Sequence, residues 1–310
     1  VRGDEACRAE APLDMPALCQ AKATPYAVTP QLTVGNGAFG RAAGDARGFR
    51  ISPEYDGAVL ALAAGLIQEM KLGKNSTPDV ISVGLSATDY IGHALGPGGA
   101  EMCLQMLALD RSLDSFFRVL DAESVDYAVV LTADHGGMDI PERLRAKGVT
   151  SAQRADPNLA TAVVGKAIAA KLKLTGPALL GDLANDIWID RALKPADRTR
   201  VEREAVAVFK GHPQVEAVFT SRQIARVPIP TGSPDKWSII QRVRASFDAK
   251  LSGDIFVVLK RNVSPIATPG VGYVATHGSP WDYDRRVPIL FWRRGMIPAN
   301  RSDHVFTGNI

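Results

Sequence analysis

An apolar segment, an amphipathic segment and a second apolar segment follow one another within residues 79–131, and this order constrains the fold most. Asp79–Leu85 predicts a buried strand, and Tyr127–Leu131 is apolar throughout, as a central parallel strand should be. Between them, Glu101–Leu120 predicts a helix whose apolar residues recur at steps of three and four. These are Met102, Met106, Leu109, Leu113, Phe116 and Leu120. The resulting βαβ unit predicts an α/β fold with a mostly parallel central sheet flanked by helices.

A second helix is predicted upstream of this unit. Ser52 and Pro53 have the residue types that favour a helix start, and the helix should run through Ala58–Leu72. Its inner stripe would consist of Leu60, Ala63, Ala64 and Ile67. We expect residues 1–140 to form part of an α/β core whose first strands are missing from this sequence.

Residues 141–270 have a different character, and we interpret them as an inserted cap or side subdomain. Helices are predicted near Thr161–Leu172, Asp197–Phe209 and Trp237–Phe247, and strands at Val215–Thr220 and Ile255–Leu259. Short apolar segments at Tyr273–Ala275 and Val287–Trp292 then return to the strand pattern. Residues 271–310 are accordingly expected to rejoin the core.

Charge and hydropathy exclude two classes of partner. The net charge of +3 is small and its basic residues are dispersed, whereas nucleic-acid binding needs a concentrated basic patch. No apolar run approaches the roughly 18 residues that span a bilayer.

The cysteines are Cys7, Cys19 and Cys103. We expect a small disulfide-closed loop between the first two and a buried, unpaired Cys103.

Three short motifs hold three of the five histidines, each beside a glycine and near an apolar run. Asp89 and His93 follow the first predicted strand, Asp134 and His135 follow the second, and His277 follows the short strand at 273–275. Because functional groups gather at the carboxyl ends of parallel strands, we expect all five residues at one edge of the sheet.

Imidazole nitrogen and carboxylate oxygen favour zinc over Mg²⁺ or Ca²⁺, which prefer all-oxygen ligand sets. Asp89 and His93 are four residues apart and could reach one ion from a helical turn or a compact loop. Asp134 and His135 are adjacent, so they need a turn to share an ion, and Gly136 offers the flexibility for one. Each motif alone is more often structural, but the three together favour a metal site. His212 and His304 lack such a context.

The motifs resemble those of the alkaline phosphatase superfamily. They read Ser-Ala-Thr-Asp-Tyr-Ile-Gly-His at 86–93, Leu-Thr-Ala-Asp-His-Gly at 131–136 and Ala-Thr-His-Gly-Ser-Pro-Trp at 275–281. The bacterial alkaline phosphatases of the nucleotide pyrophosphatase/phosphodiesterase-like branch are the most similar group. The resemblance extends from about Ser52 to Trp292 and is weaker in the predicted insertion.

The resemblance implies a site with two zinc ions and a Thr or Ser nucleophile that is transiently phosphorylated. One ion would be held by Asp89, His93 and His277, and the other by Asp134 and His135. In the family the second ion takes a further Asp and contacts the nucleophile, and these residues, with the substrate-binding Asn, Lys and Arg, lie upstream of the matched region. None of them is placed on this sequence, so no catalytic or substrate-binding residue is named.

The leading hypothesis is a zinc-dependent phosphate monoester hydrolase, secreted or periplasmic, acting on small phosphorylated substrates as a monomer. A phosphodiesterase or nucleotide pyrophosphatase of the same superfamily is the close alternative, because the residues that select monoesters would lie upstream. A catalytically inactive metal-binding fragment is the alternative from another class. Sulfatases and metal-dependent mutases fit the three-histidine pattern less well.

Overall fold

A computed structural model describes residues 15–183, 186–305 and 307. The helices are α1 Ala17–Gln20, α2 Ala46–Arg50, α3 Glu54–Met70, α4 Ala87–Leu95, α5 Ala100–Ala122, α6 Pro141–Ala146, α7 Thr161–Leu172, α8 Pro195–Lys210, α9 Ser221–Ala225, α10 Ile239–Ala245 and α11 Asp282–Arg285. The strands are β1 Tyr26–Thr29, β2 Leu32–Val34, β3 Ala128–Thr132, β4 Gln153–Arg154, β5 Leu179–Gly181, β6 Ile187–Ile189, β7 Val215–Thr220, β8 Ile255–Leu259, β9 Val263–Ser264 and β10 Ile289–Arg293.

The chain divides into two compact units. Unit 1 comprises the described residues of Val1–Leu131 together with Pro269–Ala275 and Leu290–Met296, and unit 2 comprises those of Thr132–Thr268, Thr276–Ile289 and Ile297–Ile310. The division into a core at 1–140 and 271–310 and an insertion at 141–270 stays a prediction. None of the described helices has both the length and the apolar composition that a membrane span requires.

In unit 1, α5 packs against α1, α3 and α4. The predicted helices are confirmed, but the inner face of α5 is more polar than predicted. Glu101 and Gln105 are fully buried, while Met106, predicted to be in the core, is 49% exposed. Glu101 Oε1 accepts hydrogen bonds from the backbone N–H groups of Gly35 and Gly37, which explains how a carboxylate is accommodated there.

A disulfide joins Cys19 in α1 to Cys103 in α5, 84 residues along the chain. The expectation of an unpaired Cys103 was therefore wrong. Cys7, the predicted partner of Cys19, lies outside the described residues. Spacing misled the prediction, because a short sequence separation favours pairing only when no helix contact brings a distant cysteine closer. Here α1 packs directly on α5.

Three strand predictions in unit 1 differ from the structure. Tyr273–Ala275 forms no strand, and only Tyr273 takes part in an isolated bridge, with Gly270. Asp79–Leu85 forms no strand, and Val80 is 93% exposed. A strand needs a partner for its backbone hydrogen bonds, and no described strand pairs with this segment. β3 does form and pairs with β10, but its residues alternate between half-buried and exposed. It is therefore not buried on both faces, as a central parallel strand would be.

Unit 2 contains a four-stranded antiparallel sheet in the order β5-β6-β8-β7, and a short parallel pair, β4 with β9. α7 and α8 cover the sheet and bury the apolar core of the unit, which includes Val164, Ile168, Val201, Phe209, Ile187 and Ile255. The predicted bounds of α7, β7 and β8 are confirmed to the residue. This unit also carries the loops that contain His135 and His277.

Candidate metal centre

In unit 1, Asp89 and His93 lie one turn apart on α4. Their side chains meet, with 3.4 Å between Asp89 Oδ1 and His93 Nε2. The helix ends at Gly96, whose φ of 84° favours glycine. Of the helical turn and the compact loop that the spacing allowed, the structure has the helical turn. The binding of one ion by this pair stays a prediction.

The buried carboxylate of Asp56 in α3 caps the N-terminus of α4. Its Oδ1 accepts a hydrogen bond of 2.9 Å from the backbone N–H of Ala87, and its Oδ2 accepts one of 2.8 Å from Gln105 Nε2. Burial raises the pKa of Asp56, while these hydrogen bonds lower it. Ser86, at the usual capping position, contributes no side-chain cap. α4 therefore takes its position from a neighbouring helix.

The His93 ring is fixed in orientation. Its Nδ1 lies 2.7 Å from the carbonyl oxygen of Ala275, and its face stacks on Tyr273 with 5.5 Å between ring centroids. Because a carbonyl oxygen only accepts, Nδ1 carries a proton, and in the neutral ring Nε2 then carries the lone pair. The residue that accepts this hydrogen bond lies two positions before His277 in the chain.

In unit 2, the chain bends at Asp134 directly after β3. The bend places Asp134 Oδ2 3.6 Å from His135 Nε2, so these adjacent side chains lie on the same side, as the turn prediction requires. His135 Nδ1 lies 2.9 Å from the carbonyl oxygen of Gly136, so in the neutral ring Nε2 again carries the lone pair. The Asp134 side chain is 88% exposed, so solvent reaches this pair.

The rings of His135 and His277 stack with 3.4 Å between centroids and an interplanar angle of 14°. Both rings belong to unit 2, so the structure brings two of the five candidate ligands together there.

Sequence reasoning missed two features that surround this stack. Asp284 in α11 is 5% exposed and accepts hydrogen bonds from Ser279. Burial raises the pKa of its carboxyl, whereas those hydrogen bonds and the nearby His135 lower it. Gly136 was predicted to supply flexibility, but its role is close approach. A Cβ at this position would lie 2.2 Å from the carbonyl oxygen of Tyr283.

The remaining described histidines are engaged elsewhere. His212 Nε2 lies 3.5 Å from Asp156 Oδ2, and its Nδ1 accepts a hydrogen bond from the backbone N–H of Gln214. His304 Nδ1 lies 3.4 Å from Asp235 Oδ1. Each thus has one carboxylate partner in unit 2, and neither lies in one of the three motifs.

The chain belongs to the type I phosphodiesterase / nucleotide pyrophosphatase family, which matches residues 29–280. The resemblance inferred from the motifs is thereby confirmed. Alkaline phosphatase PhoK of Sphingomonas sp. is 50% identical over 286 residues, which are 91% of this chain and 51% of that protein. Alkaline phosphatase PhoD of Zymomonas mobilis subsp. mobilis is 44% identical over 286 residues, 91% of this chain and 49% of that protein.

Among solved structures, wild-type alkaline phosphatase PafA is similar with a TM-score of 0.69 and 26% identity, over 83% of this chain and 48% of that chain. The predicted alkaline phosphatase-like α/β fold is thus confirmed. The chain spans about half the length of the curated relatives named above. Carboxylate and imidazole groups able to hold a metal ion are present in it.

Proposed function

We propose that this chain carries most of the protein ligands of a two-zinc site in a phosphate monoester hydrolase, an alkaline phosphatase. The observation that carries the proposal is the hydrogen bond from His93 Nδ1 to Ala275, which leaves Nε2 beside Asp89. Metal-binding histidines characteristically donate their second ring N–H to a carbonyl or carboxylate in this way. The names of the relatives that are 50% and 44% identical supply the reaction.

The donor set fits zinc. The assignment from the motif resemblance gives the first ion one carboxylate and two imidazoles, from Asp89, His93 and His277. Asp134 and His135 offer one of each for the second, and the His135 ring is held by Gly136 as the His93 ring is held by Ala275. Because the first ion would have three ligands from this chain and the second only two, this chain alone should bind the first ion more tightly.

Bound zinc would supply Lewis-acid polarisation of phosphoryl oxygens and would lower the pKa of a coordinated hydroxyl or water. The residues of this chain would orient the ligands. The carbonyl oxygens of Ala275 and Gly136 keep His93 and His135 in the tautomer whose Nε2 can bind. The exposure of Asp134 would leave room for a small phosphorylated substrate. The Thr or Ser nucleophile is not assigned to any described residue.

Zinc titration of the 310-residue chain against a competing chelator tests the ligand assignment. We expect two ions, the second bound more weakly. His277→Ala should weaken the tighter ion and His135→Ala the weaker one. His212→Ala is the matched control, because that histidine also pairs with an aspartate but lies outside the motifs. Wild-type zinc binding by His277→Ala would refute the assignment, and a wild type that binds no zinc would refute the proposed site.

A phosphodiesterase is the second candidate, and the family description favours it. Rates on an aryl phosphate monoester and on the matching diester, measured with an active preparation, distinguish the two. A strong preference for the diester would overturn the phosphomonoesterase proposal. A third candidate is an inactive metal-binding module. A protein of the same length as the relatives that binds zinc but hydrolyses neither substrate would favour it.

We also propose that the protein is periplasmic or secreted and acts as a monomer. The Cys19–Cys103 disulfide supports the location, because such bonds persist in oxidising compartments. Fractionation of the source cells tests the location, and light scattering coupled to size-exclusion chromatography tests the monomer. A reduced Cys19–Cys103 pair in protein isolated under thiol-blocking conditions would count against the proposed compartment.

A further inference from the structure

We propose that Asp284 is a positioning residue that sets the arrangement of His135 and His277. Within the part of the chain that the structure describes, Asp284 forms hydrogen bonds to both loops that carry these histidines. The proposal deepens the proposed function, since it concerns the same ligands, and rests on it for the identity of the ion. Nothing in the local sequence pattern predicts this role, because Asp284 lies in a short polar segment without periodicity.

The side chain of Asp284 holds the loop that contains His277. Its Oδ2 accepts hydrogen bonds of 2.8 Å from the backbone N–H and 2.6 Å from the hydroxyl of Ser279, two residues after His277. The carboxylate is buried, so these charge-assisted bonds are protected from water. The far side of the loop is anchored independently, since Trp281 Nε1 donates to the carbonyl oxygen of Leu259 in β8 at 3.0 Å.

The main chain of Asp284 holds the other loop. Its carbonyl oxygen accepts a hydrogen bond of 2.7 Å from the backbone N–H of Gly136, the residue after His135. The absence of a side chain at Gly136 permits this approach, because a Cβ would collide with the carbonyl oxygen of Tyr283. One residue thus connects the two loops, through its side chain in one direction and its backbone in the other.

The two connections can be separated by mutation. Asp284→Asn keeps the backbone acceptor for Gly136 but replaces a carboxylate oxygen pair by one acceptor and one N–H₂ donor. Both Ser279 bonds go to one oxygen, and the amide oxygen can still accept both but carries no charge. The bonds should therefore weaken and the His277 loop should loosen, with little change at the His135 loop. If His135 and His277 serve different ions, the affinity for the His277 ion should fall about tenfold or more, as for other outer-shell partners of ligands.

The matched control is Asp254→Asn in the same unit. Asp254 also accepts a backbone N–H bond, 2.8 Å from Ile189, and its side chain is 15% exposed, but it lies in the four-stranded sheet region. Its substitution should lower stability without changing zinc affinity. An equal loss of zinc affinity in both variants would overturn the proposal, because the effect would then come from general destabilisation.

A measurement without metal keeps the test independent of the proposed function. In the metal-free chain, the stacked rings should shift each other's Cε1–H signals in a ¹³C-resolved NMR spectrum. Asp284→Asn should remove much of that ring-current shift for His135 and His277 while His212 stays unchanged. A folded Asp284→Asn variant with unchanged histidine shifts would overturn the positioning role even if zinc binding by the wild type is confirmed. Altered shifts with no zinc binding by the wild type would support the positioning role and refute only the zinc site.

Discussion

The carboxylate of Asp56 lies 2.9 Å from the backbone nitrogen of Ala87 and so caps the helix that presents Asp89 and His93. A neighbouring helix thus supplies the hydrogen-bond acceptor that a local N-cap side chain usually provides. Asp56 in unit 1 and Asp284 in unit 2 are both buried carboxylates that bond to the backbone of a segment carrying candidate ligands. Each unit therefore fixes its own histidines.

Asp56→Ala should lower the free energy of unfolding by about 1–3 kcal/mol, because it leaves the buried N–H of Ala87 without its acceptor and removes one of the two acceptors of Gln105 Nε2. Urea denaturation measures the change. Asp114→Ala is the control in the same unit, since Asp114 forms an exposed pair with Arg118 and should contribute only about 0.3–0.5 kcal/mol. Equal losses in the two variants would contradict the capping role.

The raised pKa of Asp56 gives a pH dependence with a defined sign. The folded state holds this proton more tightly than the unfolded state, whose carboxyl titrates near the ordinary value of 3.8. The stability contributed by the group is therefore complete below 3.8 and falls as the pH rises through the raised value. Wild-type stability minus that of Asp56→Asn should decrease over this window and stay constant above it. A difference that increases with pH would contradict the pKa direction.

Gly136→Ala should destabilise the chain by about 1–3 kcal/mol, because the new methyl group collides with the carbonyl oxygen of Tyr283 and forces the loop outward. Thermal unfolding and zinc titration measure the two effects, and the ion bound through His135 should be the one that weakens. Gly65→Ala is the control. Gly65 lies in α3 with open space around it, so alanine there should stabilise the helix by about 0.5–1 kcal/mol.

Cys103→Ser should cost about 2–4 kcal/mol of unfolding free energy, because the disulfide restricts the unfolded chain across 84 residues. Denaturant titration of the variant against the wild type measures it. Cys7→Ser should behave like the wild type. If Cys7→Ser instead caused the larger loss, the pairing of Cys7 with Cys19 expected from spacing would be the correct one.

Local sequence pattern predicted α7, β7 and β8 to the residue. The apolar periodicity of α7 lies within one stretch of sequence, and the two strands also have each other as partners. Asp79–Leu85 has an equally apolar pattern but forms no strand, since strand formation depends on a partner that local sequence does not reveal. The five candidate ligands were found from their motifs, and their assignment to ions stays a prediction.

The two positioning carboxylates, Asp56 and Asp284, differ in whether the sequence alone indicates them. Asp56 precedes Leu60 by four residues, so it falls on the apolar stripe of α3, and a charged residue there is a detectable signal of a buried polar contact. Asp284 gives no such signal, because α11 is a single turn and its partners lie in two separate loops. Only the three-dimensional arrangement reveals it.

The Cys19–Cys103 bond has a consequence for a chain exposed to proteases. The exposed residues 73–80 between α3 and α4 lie inside the covalent ring that this bond closes, and so does the helix that carries Asp89 and His93. A single cut at Lys74 would open the backbone but release no fragment. The nicked protein would keep its full mass on a non-reducing gel and separate into two pieces only after reduction.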